Sequence, residues 1–396
     1  MDVGDSEDEE FWTPFCRGLK ARGLGGVQLV ISDAHYGLKH AIAAALANPP
    51  SQASLAFMCK VALMATTVTE ILNNASRNCG PGEILWSIRS SSGGSDISYG
   101  DTDRPFFIAS ATKLYVTAIL AQLRNEGVLS WESPIAQLLP ELSISGLVGD
   151  ATVREVMAHT SGLGDYFEAK RDDGLPTFDR IVSGDFGWDV NDVVTWTHHV
   201  PSGVRGKSLY SDTGYQLLGA LIERLDRRSF EQSVRTRIVE PLSMGNTYVF
   251  SRNTMERFDS IAPFFNGDAQ LRIPLAMASV QADGGIVSTL NDGHTFIDAF
   301  FAGRLFPAPL MTEIAMDWHR IFRPLEYGTG IMRFKLPRVF TGFRSVPAFI
   351  GHSGATGTVM YRCPERQLTV VGTINQVRKR SMPYRLMVRT ALAHSG

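Results

Sequence analysis

FFIASATKLYVTAILAQLRNEGVLS, Phe106 to Ser130, carries apolar residues at helical spacing from Ile108 to Leu123 and stops at Asn125-Glu126-Gly127, the composition of a helix C-terminus. At its start, Ser110-Ala111-Thr112-Lys113 sets a hydroxyl near the positive end of the helix dipole and returns an ammonium to the same face one turn later. A serine hydroxyl is a poor nucleophile near neutral pH and needs an adjacent base. A lysine supplies one when burial or neighbouring positive charge lowers its pKa. A Ser and a Lys at this spacing occur about once by chance in a chain of this composition, so the pair alone also fits a solvated helix face.

The companions come in an order that favours catalysis. Tyr210-Ser211-Asp212 lies where the loop of KSLYSDTGYQLLGALIERL enters an apolar helix. A tyrosine there either loses its proton to nearby lysine charge and acts as base toward Ser110, or is an aromatic anchor of the loop. Gly351-His352-Ser353-Gly354-Ala355 opens a strand near the C-terminus, where glycines let the backbone approach a ligand and free an N–H for a developing oxyanion. Around these motifs, Glu83 to Ile88, Ser95 to Tyr99 and the text from Gly328 to Thr373 read as strands. Thr66 to Ala75 and Met382 to Ala393 read as helices, and helices and loops dominate from Ser133 to Met244. Strands at both ends of a helical middle predict an α/β fold, a sheet layer with a helical lobe.

Composition narrows the function classes. The 396 residues are 44% hydrophobic and 20% charged with a formal net charge of −2, a soluble globular balance with no field to attract a polyanion. Nucleic acid and membrane are therefore not the expected partners; a small molecule is. Cys16, Cys59, Cys79 and Cys363 have no metal-ligand spacing and are too sparse for a disulfide framework. No run reaches the roughly 18 to 20 apolar residues of a spanning helix, and Met1 to Glu10 is acidic where a secretory signal is basic. Ala53 to Ala65, ASLAFMCKVALMA, is interrupted by Lys60 and reads as a helix packed on the protein. The expected compartment is the cytoplasm.

The first fifty residues differ from the rest. GLGGVQLVISDAHYGLKHAIAAA, Gly23 to Ala45, reads as a strand from Val27 to Ile31, a polar turn, then a helix. It resembles a core piece of mutator-type transposases, in which an acidic residue matching Asp33 binds a catalytic metal. The partner carboxylates are not recognisable after it, so strand transfer is not expected. With NPPSQAS, Asn48 to Ser54, as the junction, residues 1–52 read as a transposase-like remnant and 53–396 as the hydrolase domain.

From about Pro81 to Val377 the chain resembles the serine β-lactamase and penicillin-binding protein superfamily, within it the class C β-lactamase-like branch with its esterases, D-aminopeptidases and nylon-oligomer hydrolases. The resemblance rests on the opening block, AHTSGLGDY from Ala158, YSDTGYQLLGALIE, EPLSMGNTY from Glu240, ADGGIVST from Ala282 and GHSGATG, in family order. It implies an antiparallel sheet flanked by helices, a mainly helical lobe and a site in the cleft between. It implies Ser110 as acylated nucleophile, Lys113 as its activating partner, Tyr210 as general base, and the N–H groups of Ser110 and Ala355 as oxyanion hole. No metal and no cofactor are implied.

Two departures bear on substrate. Asp212 stands where the β-lactamases have asparagine, so an amide that can donate becomes a carboxylate that only accepts when ionised. His352-Ser353-Gly354 stands for Lys-Thr-Gly, so a fixed charge for a substrate carboxylate is absent or pH-dependent. Asp212, His352, Ser353 and Gly354 are the expected substrate-binding residues, and the expected substrate is a small ester or amide without an anionic group. A D-amino peptide, weak β-lactam hydrolysis, and a binding or sensor protein without turnover are the alternatives. His159 is read as structural, His198-His199 as a surface loop, and Asp283-Gly284-Gly285 as a turn beside the site. Tyr166, Phe167, Trp188 and Phe264 are open between pocket and core.

Overall fold

The computed structural model describes residues 67–93, 95–336 and 346–394. The readings of Asp33, Val27 to Ile31, Ala53 to Ala65 and the junction at 52/53 lie outside the described residues, as do Cys16 and Cys59.

The strand-like text at the two ends of this region pairs into one sheet. Its strands are β1 (Leu85–Ser90), β2 (Ile97–Tyr99), β3 (His319–Phe322), β4 (Leu325–Tyr327), β5 (Met332–Phe334), β6 (Phe349–Gly354), β7 (Thr358–Cys363) and β8 (Leu368–Thr373). They lie in the order β2-β1-β8-β7-β6-β5-β4-β3, and every pairing is antiparallel. The helices that build the site and cover the sheet are α1 (Val68–Asn78), α2 (Thr112–Asn125), α3 (Val153–Met157), α4 (Asp212–Asp226), α5 (Leu290–Phe301) and α6 (Met382–His394).

Alternation along the strands sorts the two cores. In β7, Val359, Tyr361 and Cys363 join Trp86 and Val370 on the face covered by α1 and α6, through Ile71, Leu72, Leu386 and Met387. Met360 points the other way, with Leu85 and Val371, into the core shared with α2, α4 and α5. α2 is buried nearly all round, and Leu114, Ile119, Leu120 and Leu123 are at most 1% exposed. Each such side chain contributes roughly 1.5–3 kcal/mol of burial, so the segment after Ser110 is firmly anchored. α4 and α3 begin at side-chain caps, Ser211 accepting from the Gly214 N–H and Thr152 exchanging bonds with Glu155.

Three local expectations shift. The apolar periodicity starts at Ile108, but Ala109–Ala111 form a 3-10 turn and α2 begins only at Thr112. Gly351 to Gly354 close β6 rather than open a strand, because Phe349 and Ile350 before them already pair with β5. α1 runs past Ala75 to Asn78. Among the described residues, no helix is long and apolar enough to cross a membrane.

Burial also sets a pH dependence away from the site. His294 on α5 is fully buried, and burial, then the charge of Arg89, pulls its pKa down to about 3. A depressed histidine contributes stability that is complete above its unfolded pKa of about 6.5 and is lost as pH falls toward the folded value. His294→Leu should therefore flatten the acid side of the stability profile, shrinking the loss between pH 7 and pH 5 in urea titrations by about 2 kcal/mol. An unchanged slope between those pH values would show that His294 is not buried neutral.

Candidate active site

The Ser110 segment is held from both sides. Phe106–Phe107 pairs with Ile286–Ser288, which also pairs with Tyr248–Val249. The Ile108 N–H donates to Ile286 O at 3.0 Å, and the Ile286 N–H donates to the Thr112 hydroxyl at 3.1 Å. Between these bonds Ala109 takes a left-handed φ of 47°, a conformation costly for any residue with a Cβ, and the chain turns sharply into Ser110. The end of β6 lies directly on this turn. A Cβ on Gly354 would stand 2.3 Å from Ile108 O and 2.9 Å from the Ala109 Cβ, so only glycine lets the two backbones meet.

Lys113 is fully buried, and its Nζ donates to Asp212 Oδ1 at 2.6 Å and to the carbonyl of Asp283 at 2.7 Å. Its Nζ also lies 5.2 Å from the centre of the Tyr210 ring and 5.0 Å from that of Tyr215. The Ser110 hydroxyl lies beside the Tyr210 phenol and acts to lower its pKa. Ser110, Lys113, Tyr210 and Asp212 are thus gathered into one cluster.

The proton inventory corrects one expectation. Burial, and next the Asp212 carboxylate, push the Tyr210 phenol well above its usual value, outweighing the lowering by the nearby Ser110 hydroxyl. The resting side chain is a phenol, not a phenolate made by lysine charge. The surroundings are rich in acids that the sequence did not single out as site groups. Asp165 accepts from the backbone N–H of Asp212 and of Glu168, both at 2.9 Å. Burial and then Asp212 raise its pKa to about 7. Asp283 accepts from Tyr166 Oη at 2.8 Å and from Gln216 Nε2 at 3.0 Å, and burial followed by Asp212 raises its carboxyl well above the usual range.

β6 divides the expected substrate-binding residues by the pleat. His352 is fully buried on the α2 face; its Nε2 meets the Tyr327 hydroxyl at 2.8 Å and its Nδ1 meets Ser353 O at 2.7 Å. The carbonyl can only accept, so Nδ1 carries the proton and Tyr327 donates to Nε2. Burial and the nearby Lys113 charge pull its pKa down to about 3, so no positive charge arises there near neutrality. Both the expected substrate contact and the expected pH-dependent charge of His352 are corrected: the ring is a neutral, paired core group. The Ser353 hydroxyl points to the opposite face, where it bonds Tyr384 on α6, so its side chain is also turned from Ser110. Gly354 lies on the Ser110 turn, and Ala355 follows it into solvent.

The remaining candidates find plain places. Tyr166, Trp188 and Phe264 are buried in one aromatic core of the helical lobe, with Phe167 packed against it. His199 pairs with Asp172 at 2.7 Å on the exposed surface. Among the described residues, no cluster of His, Cys, Asp and Glu is arranged to hold a metal ion.

An antiparallel sheet with helices on both faces, and a Ser-x-x-Lys turn where a helical lobe meets it, define the β-lactamase class of folds. The Beta-lactamase family model matches residues 93–393, and the chain belongs to that family. The model of the Mutator family of transposases matches residues 1–81. Among solved structures, the D-amino acid amidase of Ochrobactrum anthropi SV3 is similar with a TM-score of 0.69 and 22% identity, over 83% of this chain and 97% of that one. A D-stereospecific amidohydrolase from Streptomyces sp. gives a TM-score of 0.64 and 23% identity, over 78% of this chain and 94% of that one. Penicillin-binding protein 4* of Bacillus subtilis is 26% identical over 222 residues, 50% of this chain and 46% of that protein. Teichoic acid D-alanine hydrolase of Staphylococcus aureus is 21% identical over 226 residues, 57% of this chain and 53% of that protein. The chain spans about half the length of the curated relatives it matches.

Proposed function

We propose that this chain is a serine hydrolase that works through an acyl-enzyme on a small carboxylic ester or amide. The observation that carries the reading is the buried cluster in which the Lys113 ammonium bonds Asp212 Oδ1 at 2.6 Å and lies 5.2 Å from the centre of the Tyr210 ring, beside Ser110. Lys113 first yields a proton to the Asp212 carboxylate it bonds; Ser110 then attacks the carbonyl carbon as its proton passes through the Tyr210 phenol to the Lys113 amine, and the leaving alcohol or amine takes a proton back through the same pair. The N–H groups of Ser110 and Ala355 receive the oxyanion, each such donor being worth roughly 2.7–4 kcal/mol in the transition state. Water then releases the acyl group. No cofactor enters these steps.

A neutral, buried His352 leaves no fixed cation at β6 to grip a carboxylate, which favours uncharged esters and amides over β-lactams. A D-amino peptide or amide is the second reading, favoured by the amidases and the D-alanine hydrolase among the similar proteins. We place the enzyme in the cytoplasm, where Cys79 and Cys363, both free buried thiols, stay reduced. Residues 1–52 are a transposase-like remnant joined to the hydrolase. The Mutator-family match runs on to residue 81 and so overlaps α1, whose Ile71 and Leu72 belong to the core under the sheet.

The test is a fluorophosphonate probe followed by intact mass, alongside a panel of p-nitrophenyl esters, anilides, D-peptides and nitrocefin. The expected result is one adduct, absent in Ser110→Ala, and steady ester turnover that falls by at least about 1,000-fold in that variant. A wild-type protein that takes no adduct and turns over none of the panel would be a binding or sensor protein instead.

A further inference from the structure

The block Ala158 to Tyr166 lies against Leu209 to Thr213 almost residue by residue. The Leu209 N–H donates to the carbonyl of His159 at 2.9 Å, and the Ser211 N–H donates to its Nδ1 at 3.1 Å. The Ser211 hydroxyl donates to Gly164 O at 2.8 Å, the Asp212 N–H to Asp165 Oδ1 at 2.9 Å, and the Tyr166 N–H to the Thr213 hydroxyl oxygen at 2.9 Å. His159 therefore binds the backbone on both sides of Tyr210, and its ring packs against the Tyr210 ring, tilted by 31° with centroids 4.3 Å apart. On its far side the ring meets Tyr327 at 4.5 Å.

Two features show that this grip is maintained at a cost. His159 sits at a left-handed φ of 57°, and its Nε2 is buried without a hydrogen-bond partner among the described residues. With Nδ1 accepting from Ser211, Nε2 carries the proton and goes unpaired, a deficit that native interiors usually avoid. Turning the ring to relieve it would abandon Ser211. Burial, then the charge of Lys113, hold the ring neutral, so the Nδ1 lone pair stays available.

We infer that His159 is the positioning residue for Tyr210: by accepting the Ser211 N–H at Nδ1 and packing against the phenol ring, it fixes the distance between Tyr210 and Ser110. The inference rests on the acyl-enzyme reading and gives that reading a rigid support behind its base. A displacement of a catalytic group by about 1 Å is typically worth a 100-fold loss of rate.

The experiment compares two amides at this position, with circular dichroism and thermal unfolding to establish that each is folded. His159→Asn places an acceptor where Nδ1 stands and tolerates a left-handed backbone. His159→Gln keeps polarity and bulk but moves the acceptor one bond outward. The expected result is that Asn retains kcat within a few-fold, while Gln loses about 100-fold in kcat and in the rate of fluorophosphonate labelling with little change in KM. Equal kcat and labelling rates in the two variants, or a wild-type rate in His159→Gln, would overturn the inference while leaving the hydrolase reading intact. Absence of labelling in the wild-type protein would instead defeat the reading on which it rests.

Discussion

Lys113→Met is expected to lose about 3–5 kcal/mol of folding stability and at least about 1,000-fold in ester turnover, while Lys113→Met/Asp212→Leu recovers most of the stability and none of the turnover. The two losses have separate causes. The single substitution removes the ammonium from a fully buried position and leaves Asp212, 12% exposed at its side chain, as an uncompensated carboxylate. It also leaves the carbonyl of Asp283 without the donor that met it at 2.7 Å. Replacing both members of the ion pair by apolar groups removes the stranded charge, and such replacements are often neutral for folding. Neither variant has a group that can share a proton with Ser110 and Tyr210. Urea titrations and a p-nitrophenyl ester assay on the same preparations separate the two effects. Turnover by the double variant would mean that Lys113 serves only as counter-ion to Asp212.

What the sequence disclosed about the site follows from how each residue acts. Ser110 and Lys113 share one turn of chain, and Tyr210 introduces a capped helix, so their side chains advertise their chemistry where they stand. Asp283 was read as part of a turn because its contact with Lys113 is made by a backbone carbonyl, which has no residue signature. Asp165 acts on the backbone of residues beyond its own block, a long-range pairing that no local pattern encodes. His352 looked like a switchable cation because nothing in GHSG reports that the pleat turns it inward against Tyr327. The late start of α2 was hidden for a similar reason: Ile108, Ala109 and Ala111 are all buried and apolar, so the periodicity runs unbroken through a turn with φ of 47° at Ala109. The sheet was easier, since alternating strands at both ends of the helical middle had only each other to pair with. Its strand order, which puts β1 beside β8, was not readable from either end alone.

Gly354→Ala tests whether the close contact of β6 with the nucleophile turn is required for chemistry. The added methyl would fall 2.3 Å from Ile108 O, a backbone atom pinned by the bonds at Ile108 and Ala111, so the strand must withdraw rather than the neighbour yield. Withdrawal carries the N–H of Ala355 away from that of Ser110. Loss of one oxyanion donor typically lowers kcat by about 100- to 1,000-fold, and KM should change little because the effect belongs to the transition state. The strain also costs folding stability, about 1–3 kcal/mol by analogy with overpacked cores. Gly146→Ala is the control: a Cβ there meets nothing within 4 Å and its φ is not left-handed, so activity should be unchanged. If Gly354→Ala keeps the wild-type kcat while Gly146→Ala does too, the oxyanion must be held by donors other than Ala355. The apposition of β6 and the Ser110 turn would then be a packing feature of the fold and not part of its catalytic apparatus.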